Sequence, residues 1–184
     1  MEFKKVINNR RSIRNFKKEQ IDKKTIEKII SSALLSPSAH NKQPWSYYVF
    51  TLNKKNEIED IINKKITNKP ELTYYEKIMR KCMLFINDAP VLILAYIDDK
   101  EITTNDILSM GASIEHILLS ATNEGLGSLW LGVITEFENE INEFLSIEDK
   151  KLVSGIVLGY KNEEPKNIQR KEFKDVVKFY WKTI

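Results

Sequence analysis

The sequence predicts one domain of mixed class, in which helices alternate with about four β-strands. Two patterns carry this prediction: long segments with apolar residues at helical spacing, and short apolar runs bounded by turn residues. A chain of 184 residues buries about 70% of the surface that it exposes when unfolded, so a full hydrophobic core is available without disulfides. The single cysteine, Cys82, agrees, because one thiol cannot form an internal disulfide.

The first half of the chain predicts three helices and a strand. From Thr25 to Leu35 apolar residues recur at helical spacing, which is typical of an amphipathic helix. The segment from Trp45 to Leu52 is rich in aromatic and β-branched residues and predicts a strand. A lysine-rich helix is expected near residues 54–65, and another over Tyr74 to Phe85.

The second half of the chain predicts the centre of the core. Val91 to Ile97 is a continuous apolar run bounded by polar and proline residues, which is typical of a central strand. The helix expected from Asp106 to Glu124 is apolar on more than one face, so it must be covered nearly all round. Strands are expected over Leu129 to Ile134 and Leu152 to Tyr160, with a surface helix from Glu136 to Leu145 between them.

Charge is nearly balanced overall but is uneven along the chain. The net charge of +3 is too small to indicate nucleic-acid binding without a basic face. Positive charge collects in residues 1–24 and 150–184, whereas residues 136–149 are acidic. The apolar tail from Phe173 to Trp181 is expected to pack on another part of the protein or on another subunit.

The sequence predicts a cytoplasmic protein. Its N-terminal residues lack the long apolar run of a signal peptide. The longest apolar stretch, Ala89 to Ile97, has about nine residues against the ~20 that a membrane helix needs. The lone cysteine fits a reducing compartment.

Three guanidinium groups and a hydroxyl lie within five residues near the N-terminus. Arg10, Arg11, Ser12 and Arg14 suit phosphate oxygens, because each guanidinium presents a planar fork of donors. Arginines near a terminus are more often solvated or paired with surface carboxylates. The cluster alone therefore leaves both alternatives open.

A second polar segment, from Ser36 to Trp45, joins a predicted helix to a predicted strand. Its small residues let a ligand approach the backbone, its amides both donate and accept hydrogen bonds, and a tryptophan follows them. These features suit an aromatic heterocycle. An ordinary turn held by Pro37 and Pro44 is the alternative.

Taken together, the two segments resemble the nitroreductase family of FMN-dependent oxidoreductases. The resemblance rests on Arg-Arg-Ser-x-Arg-x-Phe, on Ser-Pro-Ser-x-x-Asn-x-Gln-Pro-Trp and on the spacing between them. Gly125 to Gly132 is similar to the family's glycine-rich stretch, Val157 to Tyr160 to its last core strand, and Arg170 to a late phosphate-side arginine. The resemblance covers residues 1–184 as a single FMN-binding domain.

This resemblance implies an α+β fold with a central, mainly antiparallel sheet flanked by helices, built as an intertwined homodimer with FMN in two interface sites. The first motif would hold the phosphate, ribityl chain and pyrimidine edge, and the second would reach the ring from the other subunit. The implied cofactor-binding residues are Arg10, Arg11, Ser12 and Arg14, then Pro37, Ser38, Ala39, Asn41 and Gln43, then Trp130, Leu131 and Gly132 beside the ring, and Arg170 at the phosphate.

The resemblance also implies a reaction. NADH or NADPH would give hydride to FMN and leave, and an electron-poor acceptor such as a nitroaromatic or quinone would then take the same place. The chemistry would occur at the flavin N5 atom, so no catalytic side chain is required. Two alternatives stay open: a flavin-binding redox sensor or FMN store without turnover, and a family member with a narrower dehydrogenase or dehalogenase task.

Other kinds of site have little support in the sequence. His40 and His116 are far apart, and neither has cysteines or carboxylates at metal-ligand spacing, so no metal is expected. A nucleotide-binding P-loop and a Rossmann fingerprint are both missing, so a nicotinamide would have to bind transiently over the flavin. The expected partners are a second copy of the chain and a small electron acceptor, without nucleic acid or membrane.

Overall fold

A central antiparallel sheet organises the protein. The computed structural model describes residues 2–99, 101–165 and 168–181. Within these residues the sheet has four strands in the order β1-β2-β4-β3. They are β1 (Trp45–Thr51), β2 (Val91–Ile97), β3 (Gly127–Leu131) and β4 (Lys151–Gly159), and every neighbouring pair is antiparallel.

Helices cover both faces of this sheet. In chain order they are α1 (Phe3–Asn9), α2 (Lys23–Leu34), α3 (Leu52–Thr67), α4 (Tyr74–Asp88), α5 (Thr104–Asn123), α6 (Glu138–Leu145) and α7 (Phe173–Val176). Helices α3, α4 and α6 pack on one face, and α2 and α5 on the other. The expected α+β fold, with an antiparallel sheet flanked by helices, is therefore confirmed. In the described part of the chain, no helix combines the length and apolar character needed to cross a membrane.

Strand β2 is the centre of the core, because both of its faces are covered. All of its residues are buried. Leu92, Leu94 and Tyr96 belong to the cluster under α3 and α4, whereas Val91 and Ile93 pack with α2 and α5. Successive side chains of a strand point to opposite faces, so two covered faces require a continuous apolar run. The strand predicted over this run is confirmed with the same bounds.

Two parts of the prediction were incomplete or wrong. Helix α1 was not expected, because it buries a single residue, Val6, and so shows little apolar periodicity. The strand expected over Leu129 to Ile134 instead ends at Leu131, and a 3₁₀ helix follows over Gly132–Phe137. The chain leaves the strand because Ile134 folds back over β4, where its side chain lies 3.2 Å from the Cβ position of Gly155.

The apolar helix α5 is covered on the sheet side and open on another. Met110, Ile114 and Ile117 are buried against the sheet and α2. By contrast, Ile107 and Leu108 are 55% and 66% exposed. The expectation that this helix is covered all round is therefore met on one side only within the described chain.

A capping box begins α5 and includes a buried carboxylate. Asp106 accepts hydrogen bonds from the Thr103 main-chain N–H at 2.9 Å and from the Thr103 hydroxyl at 2.6 Å. The Lys42 ammonium lies 3.0 Å from the same carboxylate. The hydrogen bonds from Thr103, followed by the one from Lys42, lower the pKa of Asp106 to about 2.

Replacing Asp106 with Asn tests this cap through the pH dependence of stability. The folded pKa of about 2 lies below the ordinary value of 3.8, so the carboxylate stabilises the fold above about pH 4 and loses this effect as the pH falls toward 2. We expect the unfolding free energy of the wild type to fall more steeply over this range than that of Asp106→Asn, as measured by urea denaturation.

The control is Asp60→Asn, which removes an exposed carboxylate from α3. This variant should keep the steep fall of the wild type, because it leaves the Asp106 cap and its contacts with Thr103 and Lys42 intact. Equal slopes for the wild type and Asp106→Asn would contradict the assigned role of the cap.

Candidate functional site

The first motif, residues 10–14, runs along the outer edge of β3. This strand pairs with β4 on one side only. On its other side Ser12 forms a parallel bridge with Ser128, and the Ile13 N–H donates to the Ser128 carbonyl at 2.9 Å. The structure therefore brings the arginine cluster to the edge of the sheet.

Local packing explains why the motif lies there. Ile13 and Phe16 are both buried and join the core cluster under α3 and α4. Gly127 permits the close approach, since a Cβ atom at this position would lie 2.8 Å from Cγ1 of Ile13. With Ile13 inside, Arg14 is left exposed and Ser12 half-buried.

The first two arginines of the motif have different neighbours. The Nε atom of Arg10 lies 3.6 Å from a carboxylate oxygen of Glu115 on α5. Arg11 donates from Nη1 to the carbonyls of Asn8 and Arg10, at 2.7 and 2.8 Å. It lines a cleft of about 370 Å³ between α1, the end of α5 and the segment after β4, where Lys161 is a second cation. Arg10 is thus oriented along α5, and Arg11 by main-chain carbonyls.

Arg14 is held by a residue that the sequence analysis did not single out. Glu163 accepts hydrogen bonds from the main-chain N–H groups of both Arg14 and Asn15. These residues are far apart in the sequence, so no local pattern indicates the contact. Cys82 of α4 is a further neighbour: burial raises the pKa of its thiol, and the charge of Arg14 acts in the opposite direction.

The second motif contains a strained loop. His40, Asn41 and Gln43 have φ values of 53°, 53° and 48°, a region that residues other than glycine seldom adopt. Each such conformation costs on the order of 1–3 kcal/mol and persists only where the surroundings impose it. Strain of this kind is common in segments that present groups to a ligand.

Several hydrogen bonds hold this loop. The Gln43 N–H donates to the Ser38 hydroxyl at 2.9 Å, and the Ala39 N–H donates to the Ser109 hydroxyl of α5 at 3.2 Å. Pro37 precedes these residues and is exposed. The side chains of the loop are thus supported on the N-terminal part of α5.

The third motif continues the edge to which the first motif is bound. Trp130 is 42% exposed, Leu131 is buried, and Gly132 begins the 3₁₀ helix. The Ser128 carbonyl faces the outer edge, so the main-chain groups of Trp130, two residues further, face the same way. This edge therefore presents main-chain hydrogen-bonding groups beyond Ser12.

The predicted site residues fall into separate groups in one chain. The first and third motifs meet at β3. The second motif contacts α5 at Ser109, whereas the cleft of Arg11 reaches Thr122, about 20 Å further along the helix at 1.5 Å per residue. Arg170 is exposed, with no hydrogen bond or ion pair to other described residues. A single chain therefore does not assemble all the predicted residues.

The group at the β3 edge has a definite chemical character. It combines guanidinium groups, the Ser12 hydroxyl and outward main-chain groups, a set that suits an anion attached to a flat polar ring. In the ranges that the structure describes, no cluster of three or more His, Cys, Asp and Glu side chains is arranged to hold a metal ion.

Comparisons with known proteins find relatives of this chain in sequence and in structure. The sequence model described as "Nitroreductase family" matches residues 7–160. A protein of Archaeoglobus fulgidus, whose name proposes an NADH dehydrogenase or NAD(P)H nitroreductase, is 32% identical over 87% of this chain and 86% of its own length. A 4-nitrobenzoate reductase of Nocardioides sp. is 26% identical over 88% of this chain and 81% of its own.

A solved structure has the same fold. The FMN-dependent nitroreductase NfnB from Mycobacterium smegmatis, in complex with NADPH, superposes with a TM-score of 0.84 at 16% identity, over 96% of this chain and 97% of that one. This likeness extends across the sheet and its helices, and the matching family model covers most of the sequence. The chain therefore belongs to the nitroreductase family.

Proposed function

We propose that this protein is an FMN-dependent oxidoreductase that takes electrons from NADH or NADPH and gives them to an electron-poor acceptor such as a nitroaromatic or quinone. The observation that carries this proposal is the meeting of the arginine motif with the third motif at the outer edge of β3. The reductase names of relatives add support. The single cysteine favours the reducing cytoplasm as its compartment.

The residues at the β3 edge fit FMN. Its phosphate carries about −1.5 to −2 charge, and each charge-assisted hydrogen bond contributes roughly 1.5–3 kcal/mol. Arg10, assisted by Arg11 and by Arg170 in the segment before α7, would hold the phosphate. Ser12 would bind the ribityl chain, and Arg14 the pyrimidine edge.

Each group of the site has a distinct role in the proposed reaction. FMN, when bound, supplies the two-electron chemistry. Arg14 places positive charge beside the pyrimidine edge and so stabilises negative charge there after reduction. The main-chain groups of Trp130 and Gly132 would orient the ring. In the proposed reaction, reductant and acceptor would use the same place in turn, which is a ping-pong order.

We also propose that the protein acts as an intertwined homodimer. Ile107 and Leu108 leave part of α5 apolar and open, and a Cβ atom at Gly111 would have no described atom within 4 Å. Two copies of α5 packed antiparallel would cover this surface. They would also bring the partner's second motif, including Pro37, Ser38, Ala39, Asn41 and Gln43, toward the site at β3.

The C-terminal segment supports the same assembly. Phe173, Tyr180 and Trp181 are large apolar side chains that are exposed in the chain as described. A contiguous apolar surface of this kind is usually covered by a partner. In the proposed dimer this tail wraps the other subunit, which is one of the two placements expected from its apolar sequence.

The visible spectrum of the purified protein tests the proposed function. We expect flavin bands that bleach when NADH or NADPH is added without oxygen and return when a nitroaromatic or quinone follows. Flavin bands that persist with both reductants would contradict the proposed oxidoreductase activity and favour a redox sensor or an FMN store. A protein that shows no flavin bands even after addition of FMN would overturn the cofactor assignment.

The double variant Arg10→Ala with Arg14→Ala tests the binding site. Loss of two charge-assisted contacts should weaken FMN binding by at least about 100-fold, as measured by quenching of flavin fluorescence. The control, Lys54→Ala with Lys64→Ala, removes the same charge from exposed positions of α3 and should bind FMN normally. Normal FMN binding by the arginine variant would refute the assignment.

The variant Gly111→Arg tests the dimer. The open space at this position lets a single chain accept the larger side chain, but two α5 helices would no longer pack together. We expect sedimentation to give a dimer for the wild type and a monomer for the variant. Asn63→Arg, at an exposed position of α3, should remain dimeric. A dimeric Gly111→Arg would argue against this interface.

A further inference from the structure

Lys42 connects the strained loop of the second motif to the start of α5. Its ammonium lies 2.7 Å from a carboxylate oxygen of Asp99 and 3.0 Å from one of Asp106. The Asp106 side chain is only 2% exposed and is itself held by Thr103. One end of this link is therefore a rigid, buried anchor.

The position of Lys42 in the loop lets its ion pairs restrain the residues on both sides of it. Lys42 has ordinary helical dihedral angles, with φ −66° and ψ −28°, whereas its neighbours Asn41 and Gln43 both have positive φ. The ammonium thus pins the one unstrained residue between two strained ones. Without it, the loop would keep the hydrogen bonds to Ser38 and Ser109, but Asp99 and Asp106 would face each other without a cation.

We propose that Lys42 is a positioning residue, whose ion pairs with Asp99 and Asp106 hold Asn41 and Gln43 in the conformation that receives the cofactor. This inference rests on the proposed FMN site and on the proposed dimer. We assign Lys42 no contact with the cofactor, because its ammonium is directed to two carboxylates of its own chain.

The two ion pairs of Lys42, with Asp99 and Asp106, are called the clamp, and the clamp acts between subunits. The second motif contacts α5 at Ser109, about 20 Å along the helix from the cleft lined by Arg11 of the same chain. In the proposed dimer, its side chains complete the site to which the partner contributes the first motif. The ion pairs of Lys42 in one chain therefore govern cofactor affinity in the site built on the partner's arginines.

The size of the effect follows from the population of the competent loop. Apparent affinity falls in proportion to the fraction of molecules in the binding conformation. Since removing the clamp lets strained residues relax without deleting a cofactor contact, we expect an effect of about tenfold rather than complete loss.

Three variants test the positioning role through the Kd of FMN, measured by fluorescence titration of the apoprotein. Lys42→Met removes the charge and keeps the aliphatic stem, and it should raise Kd about tenfold. Lys42→Arg keeps the charge and should restore Kd to within about twofold of the wild type. Lys54→Met removes an exposed lysine that pairs with Glu57 on α3, and it should leave Kd unchanged.

The thermal midpoint of the apoprotein, measured alongside, separates positioning from simple stabilisation. A higher Kd for Lys42→Met, measured at a temperature well below the thermal midpoint of this variant and rescued by Lys42→Arg, supports the proposal. A wild-type Kd for Lys42→Met, or a loss that Lys42→Arg does not rescue, overturns it. Failure of the wild type itself to bind FMN would overturn the proposed function, and this inference with it.

Mixed dimers test whether the clamp acts between subunits. A chain with Lys42→Met is co-expressed with a chain carrying Arg10→Ala and Arg14→Ala, and the heterodimer is isolated with two different affinity tags. Action between subunits leaves one intact site, so we expect one FMN per dimer bound with the wild-type Kd. Action within a subunit leaves no site of wild-type affinity, and this result would overturn the proposed coupling.

Discussion

The candidate site depends on the packing of residues 13–16 over a pair of glycines. Gly127 and Gly159 face each other across β3 and β4. A Cβ atom at the first would lie 2.8 Å from Ile13, and one at the second 2.8 Å from Phe16. Because glycine has no side chain, these two positions leave a flat area on the sheet surface, and the N-terminal segment packs there. Arg14 and its neighbours are held at the sheet edge because Ile13 and Phe16 are buried beside them.

Helix α5 gives the molecule its second organising constraint. Its sheet side carries the core contacts, its open side carries Ile107 and Leu108, and its two ends lie near different motifs. A helix that is apolar on two sides is unfavourable in an isolated chain, because exposed apolar surface has no compensating contact. Helix α5 therefore has two effects: its open apolar side favours a partner subunit, and its length separates the two halves of the proposed site.

Much of this architecture could be predicted from local patterns. The apolar run of β2 has both faces buried, and α5 has the periodicity of a helix, so each was recognised with nearly correct bounds. The end of β3 could not be predicted in this way, because Ile134 is as suitable for a strand as for the turn that places it over Gly155. Glu163 was missed as a neighbour of Arg14, since a contact between distant segments leaves no periodic signal.

The class of fold, the central strand and the residue types of the motifs can be read from the chain alone, because periodicity and composition are local properties. The tertiary structure sets where those motifs lie. It brought residues 10–14 to the edge of β3, left the loop around Lys42 at the other end of α5, and left α5 open on one side. These outcomes depend on contacts between residues that are distant in the chain, and such contacts are set by how all the apolar surfaces pack at once.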